Sequence, residues 1–249
     1  MPFQVSPGVV VTERDLTTVV PNVSTSIGAF AGAFQWGPVL QRVRIESENE
    51  LVQTFGEPTA DTAEYFWSAA NYLAYSNNLL VVRNTEANAI NAVVGDDNAG
   101  AAVKVNNTDD FDGTTFSTTA TAPLFVAKYP GARGSSLKAI AVDSAGWASF
   151  SGLADNARTP DQKLLFANFD RAPGTSTDVA ASGGSNDEMH ILVIDENGLF
   201  SGVAGETLEA HAFVSKASDA KKIDGSSNYV KNVLRNESLY IWLGQILKI

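Results

Sequence analysis

Residues 55–84 read FGEPTADTAEYFWSAANYLAYSNNLLVVRN, and a change of period inside this stretch decides the fold class. Asp61 and Glu64 open a helix on which Tyr65, Phe66, Ala69, Ala70 and Leu73 share one face, the 3.6-residue spacing of an amphipathic helix. Leu79-Leu80-Val81-Val82-Arg83 then forms a short apolar run with strand character. Just upstream, Ser47-Glu48-Asn49-Glu50 is a capping box ahead of Leu51 and Phe55, with Gly56 as the stop. From Ser26, Ile27, Ala29, Ala31 and Ala33 alternate with Gly28, Phe30, Gly32 and Phe34, and Trp36-Gly37-Pro38 closes the run. These small and aromatic residues predict a strand buried on both faces. The order strand, helix, helix, strand predicts an α/β (α+β) fold, a mixed-sheet core with packed helices.

The rest of the chain divides around that unit. Residues 1–22 combine a Ser6-Pro7-Gly8 turn signal with the strand formers Val9, Val10, Val11 and Thr12. This predicts an extended β arm, whose unpaired backbone groups need a sheet edge. Residues 23–84 are the first part of the core. Residues 85–125, rich in Asn, Asp, Gly, Ala and Thr, read as a small β-rich surface insert. Residues 126–249 resume the core. There Leu137–Val142 and Met189–Ile194 are strands, Asn197-Gly198 supplies hairpin chemistry, and Leu208, Ala210, Ala212 and Val214 alternate on the return. Residues 151–186 read mainly as loop; Val230, Val233 and Leu234 have helical spacing, and Leu239–Leu243 a strand pattern.

Composition narrows the function. Across 249 residues the charged fraction is 18%, the hydrophobic fraction 44% and the net charge −11, a globular but acidic chain. The densest basic group is only Lys216, Lys221 and Lys222, so direct nucleic-acid binding is not expected. The absence of cysteine rules out disulfides, thiolate metal sites and a cysteine nucleophile. The opening MPFQVSPGVVV has no signal-peptide pattern, and no apolar run approaches the ~20 residues of a spanning helix. A soluble, cytoplasmically made protein without membrane insertion is therefore expected.

The sequence carries no nucleophile elbow, phosphate loop, dinucleotide fingerprint or zinc-protease motif, so neither catalytic residues, a cofactor nor a metal is expected. His190 and His211 fall on the two strands of one hairpin, but a metal site would also need a carboxylate such as Asp195. Asp109-Asp110-Phe111-Asp112-Gly113 lacks the ligand spacing of a calcium loop and reads as a solvated acidic turn. The aromatic helix with Tyr65, Phe66, Trp67 and Tyr72 reads first as core packing; Trp67 and Tyr72 partly leave its apolar stripe, so an interface is the second reading.

Several stretches together resemble the tail sheath proteins of T-even-like contractile phages. They are Ser6–Glu13 (SPGVVVTE), residues 24–38 (STSIGAFAGAFQWGP), residues 55–84, Tyr129-Pro130-Gly131-Ala132-Arg133-Gly134, and residues 190–234, beginning HILVIDENGLF. The resemblance implies a structural subunit of the virion tail, made in the host cytoplasm. Such subunits polymerise helically with copies of themselves around the tail tube protein, meet baseplate and tail terminator proteins, and contract to drive the tube through the host envelope. It implies that Gly8, Val9, Val10, Val11, Thr12, Glu13, Leu16, Val19 and Val20 lie on an arm that adds a strand to a neighbour's sheet. It also implies a further C-terminal domain, which residues 1–249 are expected to lack. The other reading of the composition is a virion or cell-surface adhesion module, suited by the acidic surface and the Asn/Thr/Gly-rich insert.

Overall fold

The computed structural model describes residues 27–94, 103–113 and 124–244. Its strands are β1 (Gly28–Ala33), β2 (Arg42–Ile45), β3 (Leu79–Asn84), β4 (Val93–Val94), β5 (Phe125–Ala127), β6 (Leu137–Asp143), β7 (Glu188–Asp195), β8 (Glu206–Ser215) and β9 (Ile241–Leu243). The helices are α1 (Glu48–Phe55), α2 (Ala63–Leu73), α3 (Thr108–Gly113), α4 (Ser144–Ser151), α5 (Pro160–Asn168), α6 (Thr177–Ala181) and α7 (Val230–Glu237). Helices and three small sheets together make the α+β fold anticipated from the sequence.

The first sheet runs β1-β3-β2 and is mixed: β1 is parallel to β3, β2 antiparallel. Helices α1 and α2 cover one face, where Leu51, Phe55, Phe66 and Ala69 pack on Ile45, Leu79 and Val81. Ser47 accepts a hydrogen bond from Glu50 N, while Glu50 Oε2 reaches back to Glu46 N rather than to Ser47 N. β1 is an edge strand, and its Ala29 and Ala31 are exposed. The expectation of burial on both faces fails because the helical layer covers only the side on which Phe30 lies. Tyr65, expected on the buried stripe of α2, is likewise exposed, as is Trp67.

The second core is built on β6-β7-β8, antiparallel throughout. All eight residues of β7 are buried. Met189, Ile191 and Val193 meet Val230, Val233 and Leu234 of α7, while Leu192 and Ile194 meet Trp147 and Phe150 of α4 and Leu165 of α5. Residues 151–186 are thus more than loop. Thr159 accepts from Gln162 N and Gln162 Oε1 accepts from Thr159 N, with Pro160 at the first helical position of α5. On β8 a bulge near Phe213 (φ 55°) reverses the alternation, leaving Ala210 and Ala212 exposed while Val214 is buried.

The third sheet, β4-β5-β9, joins Val93–Val94 and Phe125–Ala127 to Ile241–Leu243. Val105 and Phe111 are buried with Val126 and Trp242, and Phe111 stacks on Trp242 at 4.3 Å. The acidic run 109–113 is helix α3 rather than a solvated turn. Asn107 Oδ1 accepts from Asp110 N and Asp110 Oδ2 accepts from Asn106 N, closing its first turn. Among the described residues no helix is long and apolar enough to cross a membrane.

Lys128, just past β5, is buried, donates to the Ser238 carbonyl and lies 4.3 Å from the Trp242 ring centroid. Burial lowers its pKa to about 8, against the opposing pull of Glu209. Its folded pKa is below the unfolded value, so charging Lys128 costs stability below pH 8, and that cost is relieved as the pH rises from 8 towards 10. Stability measured by urea denaturation should rise by about 1–2 kcal/mol between pH 7.5 and 9.5. Lys128→Met should flatten that rise; an equal rise in the variant would remove Lys128 as its source.

Candidate functional site

Arg83 closes the apolar run of β3 and is almost wholly buried, with no carboxylate partner among the described residues. Its guanidinium is held by backbone carbonyls. Nε donates to Phe34 O at 2.8 Å, Nη1 to Gly37 O at 2.8 Å, and Nη2 to Gln35 O at 3.1 Å and Pro130 O at 2.8 Å. Planar, forked donors suit this task better than a lysine ammonium. Gly131 (φ 130°) shapes the turn that presents the Pro130 carbonyl, and a Cβ there would stand 3.1 Å from Arg83 Nη2. Burial lowers the Arg83 pKa to about 10, with Tyr129 opposing, so the charge persists at neutral pH.

Next to this node lies a cleft of about 570 Å³ with aromatic walls. Trp36 meets Tyr129 edge-on at 5.3 Å and Phe200 at 5.0 Å, and Phe200 meets Tyr240 at 5.2 Å. Asp195, fully buried at the end of β7, places Phe200. Its carboxylate accepts from Ser136 Oγ, from the Leu199, Phe200 and Ser201 amides, and from Ser201 Oγ. Burial pushes the Asp195 pKa up, but the hydrogen bonds from Ser136, Ser201 and Phe200 prevail and hold it below the usual carboxylate range. This loop, residues 196–205, replaces the tight Asn197-Gly198 hairpin expected from the sequence. The Arg133 guanidinium lies 4.6 Å from the Phe200 ring centroid. Its Nε and Nη1 are buried and have no hydrogen-bond partner among the described residues, while Glu50 and Glu57 also line the cleft.

The histidines are not one site. His190 is buried, stacks on Phe169 at 4.2 Å, and its Nδ1 accepts from Phe213 N. Nε2 therefore carries the proton donated to Arg171 O at 2.9 Å, and burial pushes the pKa down, favouring the neutral ring. His211 pairs with Glu209 Oε2 at 3.1 Å. Asp195 is committed to its own loop, and among the described residues no cluster of three or more His, Cys, Asp or Glu could hold a metal. Gly8, Val9, Val10, Val11, Thr12, Glu13, Leu16, Val19 and Val20 lie outside the described residues. Sequence reasoning missed Arg83 and Arg133; the available signal was a cation ending an apolar run, and another directly after the Tyr129-Pro130-Gly131 turn.

Comparison with known proteins gives a consistent result. Residues 25–83 match the family model of the tail sheath protein Gp18 domain III N-terminal region. The tail sheath protein of Enterobacteria phage T4 is 51% identical over 78 residues, 31% of this chain and 12% of that protein. The tail sheath protein of Vibrio phage KVP40 is 38% identical over 82 residues, 33% of this chain and 12% of that protein. That of Salmonella phage ViI is 29% identical over 204 residues, 82% of this chain and 28% of that protein. The matches thus span from 12% to 28% of these relatives' own length.

The family match ends at Arg83, the residue that ties β3 to the Phe34–Gly37 turn and to Pro130. Arg83→Met should lower stability by at least about 3 kcal/mol, because several buried carbonyls lose charge-assisted donors together. Arg83→Lys should recover only part of it, since one ammonium cannot span both turns. Chemical denaturation of the three proteins reads the order; full rescue by lysine would mean that charge alone suffices.

Proposed function

We propose that this chain, a relative of the tail sheath proteins of contractile phages, is part of a structural sheath subunit that works by assembly rather than by catalysis. The observation that carries the reading is the match over residues 25–83, which coincides with the helix-covered sheet β1-β3-β2 and ends on Arg83. The likeness to the phage ViI protein over 82% of the chain extends it to the second core. The adhesion alternative is not favoured by these relatives.

In this reading copies of the subunit, made in the host cytoplasm, stack helically around the tail tube in the virion and meet baseplate and terminator proteins at its ends. Work comes from exchanging one set of subunit contacts for another, with each subunit moving as a body. A node such as Arg83, which fixes three chain stretches together, supports such rigidity. The strand formers between Gly8 and Val20 act as the arm that joins a neighbour's sheet, keeping subunits tethered while other contacts change.

Electron microscopy of virions that encode this chain, decorated with antibody against residues 124–244, tests the assignment. Regular labelling along the whole contractile tail is expected; labelling confined to fibres or to the tail tip would place the chain in an adhesion device instead. In the same virions, deletion of residues 1–20 should leave the subunit folded and abolish sheath assembly. Normal sheaths from the deletion would overturn the arm.

A further inference from the structure

Ile223 is fully exposed. It sits at the tip of a three-residue loop, Ile223-Asp224-Gly225. Gly225 N donates to Lys222 O at 2.9 Å, Lys222 N donates to Ser226 O at 2.8 Å, and Gly225 is left-handed (φ 83°). Asp224 Oδ1 braces the loop by accepting from Ser226 N and Oγ, and Lys221 bridges to Ser227 beneath it. Turn tips select Gly, Asn, Asp, Ser and Pro for backbone reasons. An isoleucine there buries nothing against the described residues. The knob carries both charge signs, with Lys221 before it and Asp224 within it, while Lys222 is paired with Glu237.

The aromatic cleft has the complementary character. Its walls offer an apolar slot, and the Arg133 guanidinium lines it together with Glu50 and Glu57. A purely anionic ligand would meet Arg133 but be repelled by the glutamates; a ligand of mixed sign satisfies both. We propose that the Ile223 turn of one copy of this chain seats in the Trp36–Tyr129–Phe200–Tyr240 cleft of a second copy, Asp224 toward the Arg133 guanidinium and Lys221 toward Glu57. The cleft of about 570 Å³ accommodates an isoleucine side chain with the backbone of its turn. The braced loop loses little conformational freedom on docking.

This contact rests on the assembly reading only in its choice of a second copy as occupant. Knob and socket are different patches, so one such contact leaves a free knob and a free socket for further copies. A single turn buries well under the roughly 1,000 Å² of a stable interface. The contact is therefore weak alone and gains strength only when repeated along an assembly.

The chain has no cysteine, so single-cysteine variants report the contact cleanly. Ser226→Cys, which keeps Ile223, and Gln53→Cys both fall on exposed residues, and Gln53 lines the cleft. Mixed under oxidised glutathione, they should form the mixed dimer about tenfold faster than Gln53→Cys does with Tyr75→Cys, through the raised effective concentration of a docked knob. Tyr75 is 94% exposed and so controls for access alone. Adding Asp224→Lys or Ile223→Ala to the Ser226→Cys protein should remove the advantage. Equal rates for the two pairs would overturn the contact. Equal rates with regular sheath labelling would leave the sheath reading standing without it. Fast, Asp224-dependent pairing with no sheath labelling would keep the contact and refute the sheath.

Discussion

A buried guanidinium held by backbone carbonyls is the constraint on which the rest of the molecule depends. Arg83 cannot be left unsatisfied in the interior, since an unpaired buried charge costs several kcal/mol. The Phe34–Gly37 turn and the Pro130 turn must therefore stand on either side of it, with their oxygens aimed at its nitrogens. This joins the first sheet to the Tyr129–Gly134 segment, from which β6 departs. The position of Trp36 against Tyr129 follows from the same tie.

Asp195 does the complementary work with a buried negative charge. Its carboxylate draws in the amides of the loop that leaves β7, which carries Phe200 onto Trp36 and Tyr240. Neither ion is paired with the other; each is neutralised by oriented backbone and hydroxyl dipoles. Such arrangements work only with the surrounding backbone fixed, because dipoles that reorient freely would not hold an ion better than water does. The cleft between them inherits that rigidity. Arg133 has no such rack of carbonyls: its Nε and Nη1 are buried without a hydrogen-bond partner among the described residues.

The departures from the sequence reading share one origin. The β1 alternation of small and aromatic residues is compatible with two buried faces or one; only the placement of α1 and α2 on a single side decides it. The run 109–113 is acidic enough for a solvated turn, yet Asn106, Asn107 and Asp110 close a helical turn, and Phe111 finds Trp242. Conversely, the Thr159-Pro160 start and Gln162 of α5 were fully legible as a capping box, and were hidden only by the weak apolar pattern that follows.

Local periodicity by itself determined the strand, helix, helix and strand between Gly28 and Asn84, the strands β6 and β7, and helix α7. Hydrophobic spacing along a few turns is a property of the segment, whatever it later packs against. Composition likewise determined the acidic, cysteine-free character of the chain. Only the tertiary structure decided where the carbonyl partners of Arg83 come from, some of them 46 to 49 residues away in the chain. It also decided that His190 and His211 take different partners, and that Trp36, Tyr129, Phe200 and Tyr240 wall one cleft. Those facts concern which distant segments end as neighbours. A hydrogen-bond donor in the sequence specifies the need for an acceptor but not its address, and the address is set when the two cores close around it.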